Sequence, residues 1–119
     1  MLGVYSPESL EEENANMLRR MAADGDSLIN QRDIEFNHQF AHEDSAVEFL
    51  AAAKEKGYSR GSHEYWKEQV TWLTAIRIRM APTLEKITEI ELDLAEIASP
   101  FEGKPDGWGC MEVIKPQAT

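Results

Sequence analysis

The chain has 119 residues, 12 of them basic and 22 acidic, for a formal net charge of −10. That length points to one domain with one core, and the charge repels nucleic acid unless a local basic patch overrides it, while suiting a partner with basic segments. A single cysteine excludes an intrachain disulfide and fits a reducing compartment. Met1 to Leu10 lacks the basic-then-apolar pattern of a signal peptide, and no apolar run approaches the ~20 residues of a membrane span, so a cytoplasmic location is expected.

Ser6-Pro7-Glu8 opens the first helix, expected over about residues 7–24. Ser6 can cap it, Pro7 is preset for the first turn, and Glu8, Glu11, Glu12 and Glu13 sit near the positive end of the helix dipole. Leu10, Asn14, Met17, Leu18 and Met21 recur at helical spacing and form a narrow stripe for packing. Asp24-Gly25-Asp26 stops the helix.

Residues 33–41 alternate. Ile34, Phe36, His38 and Phe40 share one face and Glu35, Asn37 and Gln39 the other, as in a strand with one buried face. Glu43-Asp44-Ser45 then supplies a cap for a second helix, whose buried side is Ala46, Val47, Phe49, Leu50 and Ala53, and Gly57 ends it. Residues 58–67, with Gly61 and mixed polarity, suggest a short edge strand or loop. Residues 70–80 read as a long central strand with Val70, Trp72, Thr74, Ile76, Ile78 and Met80 on one face and Leu73, Ala75, Arg77 and Arg79 on the other. Pro82 ends it.

Thr83 can cap a third helix. Leu84, Ile87, Ile90, Leu94, Ile97 and Ala98 form its apolar arc. Opposite lies an acidic stripe, Glu85, Glu89, Asp93 and Glu96, with Leu92 on the same side. A charge stripe is ordinarily a solvated face, but an apolar residue inside one can anchor an interface, so Glu85, Glu89, Leu92, Asp93 and Glu96 are the candidate partner-binding residues. Pro100 ends this helix. In Pro105-Asp106-Gly107-Trp108-Gly109-Cys110 two glycines bracket a tryptophan: Asp106-Gly107 turns the chain, Gly109 permits a close approach or bulge, Trp108 anchors, and Met111 to Ile114 reads as a closing strand. This stretch finishes a fold rather than performing chemistry.

The order is a helix followed by β-α-β-β-α-β over about residues 31–114. It predicts an α+β chain, a ferredoxin-like α/β sandwich with a four-stranded, antiparallel-type sheet and an extra N-terminal helix, all in one domain over residues 1–119. The two most apolar strands are placed centrally and parallel to each other. Right-handed crossovers put both helices on one sheet face.

For chemistry, His38 reads as a satisfied, partly buried core histidine, and Cys110 as a packing residue; a small enzyme with a site near either is the minority reading. His38 and His42 lie too far apart on a strand to share a metal unless the chain bends. The sequence has no phosphate loop, dinucleotide fingerprint or paired-cysteine zinc motif, so no cofactor, metal or catalytic residue is assigned. Arg77 and Arg79 invite an RNA-binding reading, but the aromatic of their strand, Trp72, is on the other face and the stacking motif of RNA-binding sheets is missing. Salt bridges to neighbours such as Glu35 are expected instead.

Asp24-Gly25, His38 with Phe40 before Glu43-Asp44, Lys56-Gly57-Tyr58, the strand ending in Met80, Pro82-Thr83-Leu84, and above all Asp106-Gly107-Trp108-Gly109 occur here in one order. From about Arg20 to Val113 the chain thereby resembles the RraB family, inhibitors of the bacterial endoribonuclease E. The resemblance implies the same sandwich fold. It also implies a non-enzymatic protein that docks on the ribonuclease outside its catalytic part and modulates RNA degradation. No short motif of the family defines contact residues, so none is carried over. The alternative is an acidic immunity or adaptor protein with another basic target. The oligomeric state is left open.

Overall fold

The computed structural model describes residues 7–110. Helix α1 spans Pro7–Ala23, strand β1 Arg32–Phe40, helix α2 Glu43–Glu55, strand β2 Gly61–Trp66, strand β3 Thr71–Met80, helix α3 Leu84–Ala98 and strand β4 Lys104–Gly109, with one turn of 3-10 helix at Ser99–Phe101. The Ser6 cap and the Met111–Ile114 strand lie outside the described residues.

The sheet order is β2-β3-β1-β4, the arrangement of a ferredoxin-like sandwich preceded by α1. All neighbouring strands are antiparallel, including β1 and β3. This corrects the parallel central pair expected from sequence. Each β-α-β unit does not close on an adjacent strand. The gap between β1 and β2 is filled by β3, which returns from β2 through a hairpin and so runs against both.

Alternation decides which side of the sheet is buried. Ile34, Phe36 and Phe40 of β1 and Ile76 of β3 are sealed against Ala46, Phe49 and Ala53 of α2 and Ile87, Leu94 and Ala98 of α3. Trp72, Ile78, Met80 and Leu84 pack on the edge of this core. Leu18 and Met21 join it from α1, which lies mainly against α3. Two expected core residues are outside it. Val70 is 70% exposed with φ 53°, because the β2–β3 hairpin closes over residues 66–70, its Val70 N–H bonding to the Lys67 carbonyl. Val47 is exposed; it sits one residue round the helix from the arc of Ala46, Phe49 and Ala53.

Caps and turns follow the local chemistry, with one exception. Thr83 Oγ1 accepts from the Lys86 N–H at 3.3 Å and starts α3. At the end of α2, Tyr58 N–H bonds to the Ala53 carbonyl and Gly57 N–H to that of Lys54, which satisfies two carbonyls the helix leaves unpaired. The exception is the start of α2: the cap position is His42, with no side-chain cap bond, and Glu43 and Asp44 already lie in the first helical turn. There they favour the helix through its dipole rather than by capping. The loop after α1 is held by a buried ion pair that the sequence did not announce. Arg32 donates to both carboxylate oxygens of Asp26, Nη2 to Oδ1 at 3.0 Å. Asp26 also accepts from Leu28 N–H at 2.9 Å, and its carboxylate raises the Arg32 pKa.

The Asp106-Gly107 pair sits inside an edge strand instead of preceding one. Phe36 pairs with Trp108 and His38 with Pro105, so Asp106 and Gly107 together oppose Asn37. That is a β-bulge, and Gly107 takes φ 84° within it, a conformation that a Cβ makes costly. Gly109, expected to permit a close approach or a bulge, has no described atom within 4 Å of where a Cβ would stand.

Candidate functional site

The three elements α1, α3 and β4 meet at a buried amide. Asn14 donates from Nδ2 to Thr88 Oγ1 at 3.0 Å and to Glu91 Oε1 at 2.8 Å, and its Oδ1 accepts the Trp108 indole N–H at 2.8 Å. Asn14, Thr88 and Glu91 are all buried. The network fixes α1 across α3. Toward the N-terminus of α1 the two helices leave a groove of about 730 Å³ between them.

Leu84, Thr88 and Leu92 of α3 form part of that groove, and Glu85 and Glu89 line it from the same helix. Glu8 and Glu11 line it from α1. All four glutamates are exposed. The groove therefore combines apolar side chains with carboxylates from two helices. Carboxylates that keep their water while flanking an apolar strip favour a cationic, partly apolar ligand over an anionic one.

Three of the five sequence candidates, Glu85, Glu89 and Leu92, come together here. The other two do not. Asp93 lies outside the groove lining and accepts the Tyr58 hydroxyl at 2.5 Å, an interaction that, with burial as the larger cause, raises the tyrosine's pKa. Glu96 is exposed, but lies outside the groove lining. Glu8 and Glu11 were read only as acids favouring a helix N-terminus. Their place on the groove depends on how α1 crosses α3, and the buried Asn14 in an otherwise apolar stripe was the one sequence signal of that crossing.

The chemical candidates separate from each other. His38 is 3% exposed, and among the described residues neither ring nitrogen has a hydrogen-bond partner; its ring packs on Phe49 at 5.1 Å. Burial pushes its pKa down to about 4. This corrects the satisfied histidine of the sequence reading: with nothing to orient a proton, the ring behaves as a flat apolar filler. Cys110 lines a small hollow with Met17, Arg20, Met21, Asp24 and Trp108. Among the described residues no group of three or more His, Cys, Asp or Glu is placed to hold a metal ion, and no helix is long and apolar enough to cross a membrane.

On the helix-free sheet face two arginines are paired, while Arg79 is exposed. Arg77 Nη2 bonds to Glu35 at 2.9 Å, the partner expected from sequence, and Arg60 grips Asp33 through two bonds at 2.9 and 2.8 Å, which lowers the Asp33 pKa.

No curated protein matches the chain. The family model described as "Regulator of ribonuclease activity B" matches residues 11–110. That span carries Asn14, α3, the groove residues from Glu11 onward and the Asp106–Gly109 bulge, and the chain belongs to the RraB family.

Proposed function

We propose that the protein is a cytoplasmic, non-enzymatic inhibitor of a ribonuclease E-type endoribonuclease, acting by docking on that enzyme and not on its RNA. The family supports a ribonuclease as the regulated partner. The observation that carries the docking mode is the groove of Leu84, Thr88 and Leu92 flanked by Glu8, Glu11, Glu85 and Glu89, in a chain of net charge −10. A basic segment of the ribonuclease with an apolar anchor fits it: the anchor enters beside Leu92, and lysines or arginines meet the glutamates. Long-range attraction speeds the encounter, and the apolar contact slows release. Inhibition then follows from occupying the ribonuclease outside its catalytic part. The pairing of Arg60 and Arg77 with carboxylates and the excess of acids both weigh against direct RNA binding.

The test is RNA cleavage by purified ribonuclease E-type enzyme with increasing amounts of the protein, beside a gel-shift of the same RNA with the protein alone. Slower cleavage with no shift supports the reading. Unchanged cleavage, or a shift at matching concentrations, contradicts it.

A further inference from the structure

The two edges of the sheet are treated differently. Strand β4 carries Pro105 and the Asp106-Gly107 bulge, devices that spoil an edge as a template for further pairing. Strand β2, the other edge, has neither. Its residues Gly61, Ser62, His63, Glu64 and Tyr65 are all exposed.

Hydrogen-bond alternation shows which groups are free on that edge. Arg77 N–H bonds to the Arg60 carbonyl at 2.9 Å, and Ser62, Glu64 and Trp66 pair with Ala75, Leu73 and Thr71 in the same phase. In an antiparallel ladder, bonded pairs alternate with non-bonded ones. The N–H and C=O groups of Gly61, His63 and Tyr65 therefore point away from β3.

We infer that β2 pairs with β2 of a second copy of this chain, antiparallel and centred on His63, to join two sheets into one. The two-fold axis of such a dimer stands normal to the sheet, so residues that face each other must lie on the same sheet side. Only registers centred on a residue meet that condition. Centring on Glu64 sets two carboxylates directly opposite, which is unfavourable. Centring on His63 lets Gly61 of one copy exchange backbone bonds with Tyr65 of the other, and His63 with His63, using the outward groups alone.

The side chains suit that register. Tyr65 of one copy covers Gly61 of the other, a pairing in which an aromatic ring shields a glycine in a neighbouring strand. Gly61 is fixed by its own chain, because a Cβ there would stand 2.8 Å from Leu50 Cδ2. Tyr65 and His63 are held ready by Trp72, at ring distances of 5.3 and 5.8 Å, and His63 is further tied to Glu43 of α2 at 3.1 Å. On the other sheet side Ser62 faces Glu64, a hydroxyl opposite a carboxylate. The groove between α1 and α3 is lined by other residues, so a β2-paired dimer keeps it open. Two copies each of charge −10 repel, so salt strengthens this association, the reverse of its effect on a basic partner.

The experiment measures mass by light scattering across protein concentration and salt, with amide exchange on the wild type and cysteine cross-linking in a Cys110→Ser background. The expected result is a mass rising toward that of two chains, more readily at high salt, with slowed exchange at Gly61, His63 and Tyr65. His63→Cys should form a disulfide dimer under mild oxidation, since paired Cα atoms stand about 5.5 Å apart. Glu64→Cys should lag well behind it, its Cα atoms lying roughly 7–8 Å apart on the diagonal. A single-chain mass throughout, or faster linking of Glu64→Cys, overturns the proposal. So does slowed exchange of those three amides only when the ribonuclease is added, which would assign the edge to a strand of that partner.

Discussion

The Trp108 indole N–H donates to Asn14 Oδ1 at 2.8 Å, across 94 residues of sequence. It joins the last described strand to the first helix, and the same amide holds Thr88 and Glu91 of α3. Removing it leaves buried donors and acceptors unmet, which costs the desolvation of each. Asn14→Ala should destabilise the protein by about 1–3 kcal/mol. In a denaturant double-mutant cycle, Asn14→Ala and Trp108→Phe should be coupled by at least about 0.5 kcal/mol. Additive costs would mean that the two side chains do not share a bond.

His38 gives a pH signature. Its folded-state pKa is depressed from 6.5 to about 4 by burial. The unfolded chain therefore binds the proton more readily, and the stabilisation from keeping the ring neutral is present above about pH 6.5 and lost as pH falls toward about 4. The loss amounts to roughly 3 kcal/mol at the lower end. His38→Leu should remove that part of the acid sensitivity, seen as a smaller fall in unfolding free energy between neutral and acid pH than in wild type. Identical slopes would show that His38 is not buried neutral.

The two glycines around Trp108 should respond differently. Gly107→Val forces a β-branched residue to φ 84° and should cost about 1–3 kcal/mol. Gly109→Ala meets no described atom within 4 Å and should change stability by no more than about 0.5 kcal/mol. Thermal melts of the two variants decide the point; equal costs would contradict the bulge.

Ile87 is fully buried between sheet and helices. Truncation to Ala should cost about 2–5 kcal/mol, with the denaturant slope little changed. A cost near zero would remove Ile87 from the core.

Much of this fold was legible because period-2 and period-3.6 patterns report burial directly. The alternating Ile34, Phe36 and Phe40, and the Ile87, Ile90 and Leu94 arc, face inward as their spacing requires. The antiparallel type of the sheet was legible from the β-α-β-β-α-β order, but the direction of the central pair was misread: no residue of β1 or β3 states that a hairpin strand fills the gap a crossover leaves. Val70 carried the right parity but lay in a hairpin turn, and composition does not separate the last residue of a turn from the first of a strand. His38 shared the phase of Ile34 and Phe36, which revealed its burial but not the lack of a partner. The groove was half legible. Glu85, Glu89 and Leu92 share one helix and one face, whereas Glu8 and Glu11 reach it only through the packing of α1, whose buried Leu10, Leu18 and Met21 gave its apolar stripe but whose partner helix only the buried Asn14 hinted at.

The most direct test of the groove is the affinity of a purified ribonuclease E-type enzyme for three proteins at low and high salt. They are wild type, the double variant Glu85→Lys with Glu89→Lys, and Leu92→Asp, each checked for an unchanged fold by thermal melting. The account predicts that charge reversal weakens binding about tenfold or more at low salt, about 1.4 kcal/mol, and flattens the salt dependence. Leu92→Asp should weaken it comparably while leaving that dependence in place, because it removes apolar contact and not the glutamates that steer encounter. Both folded variants binding like wild type would contradict the account.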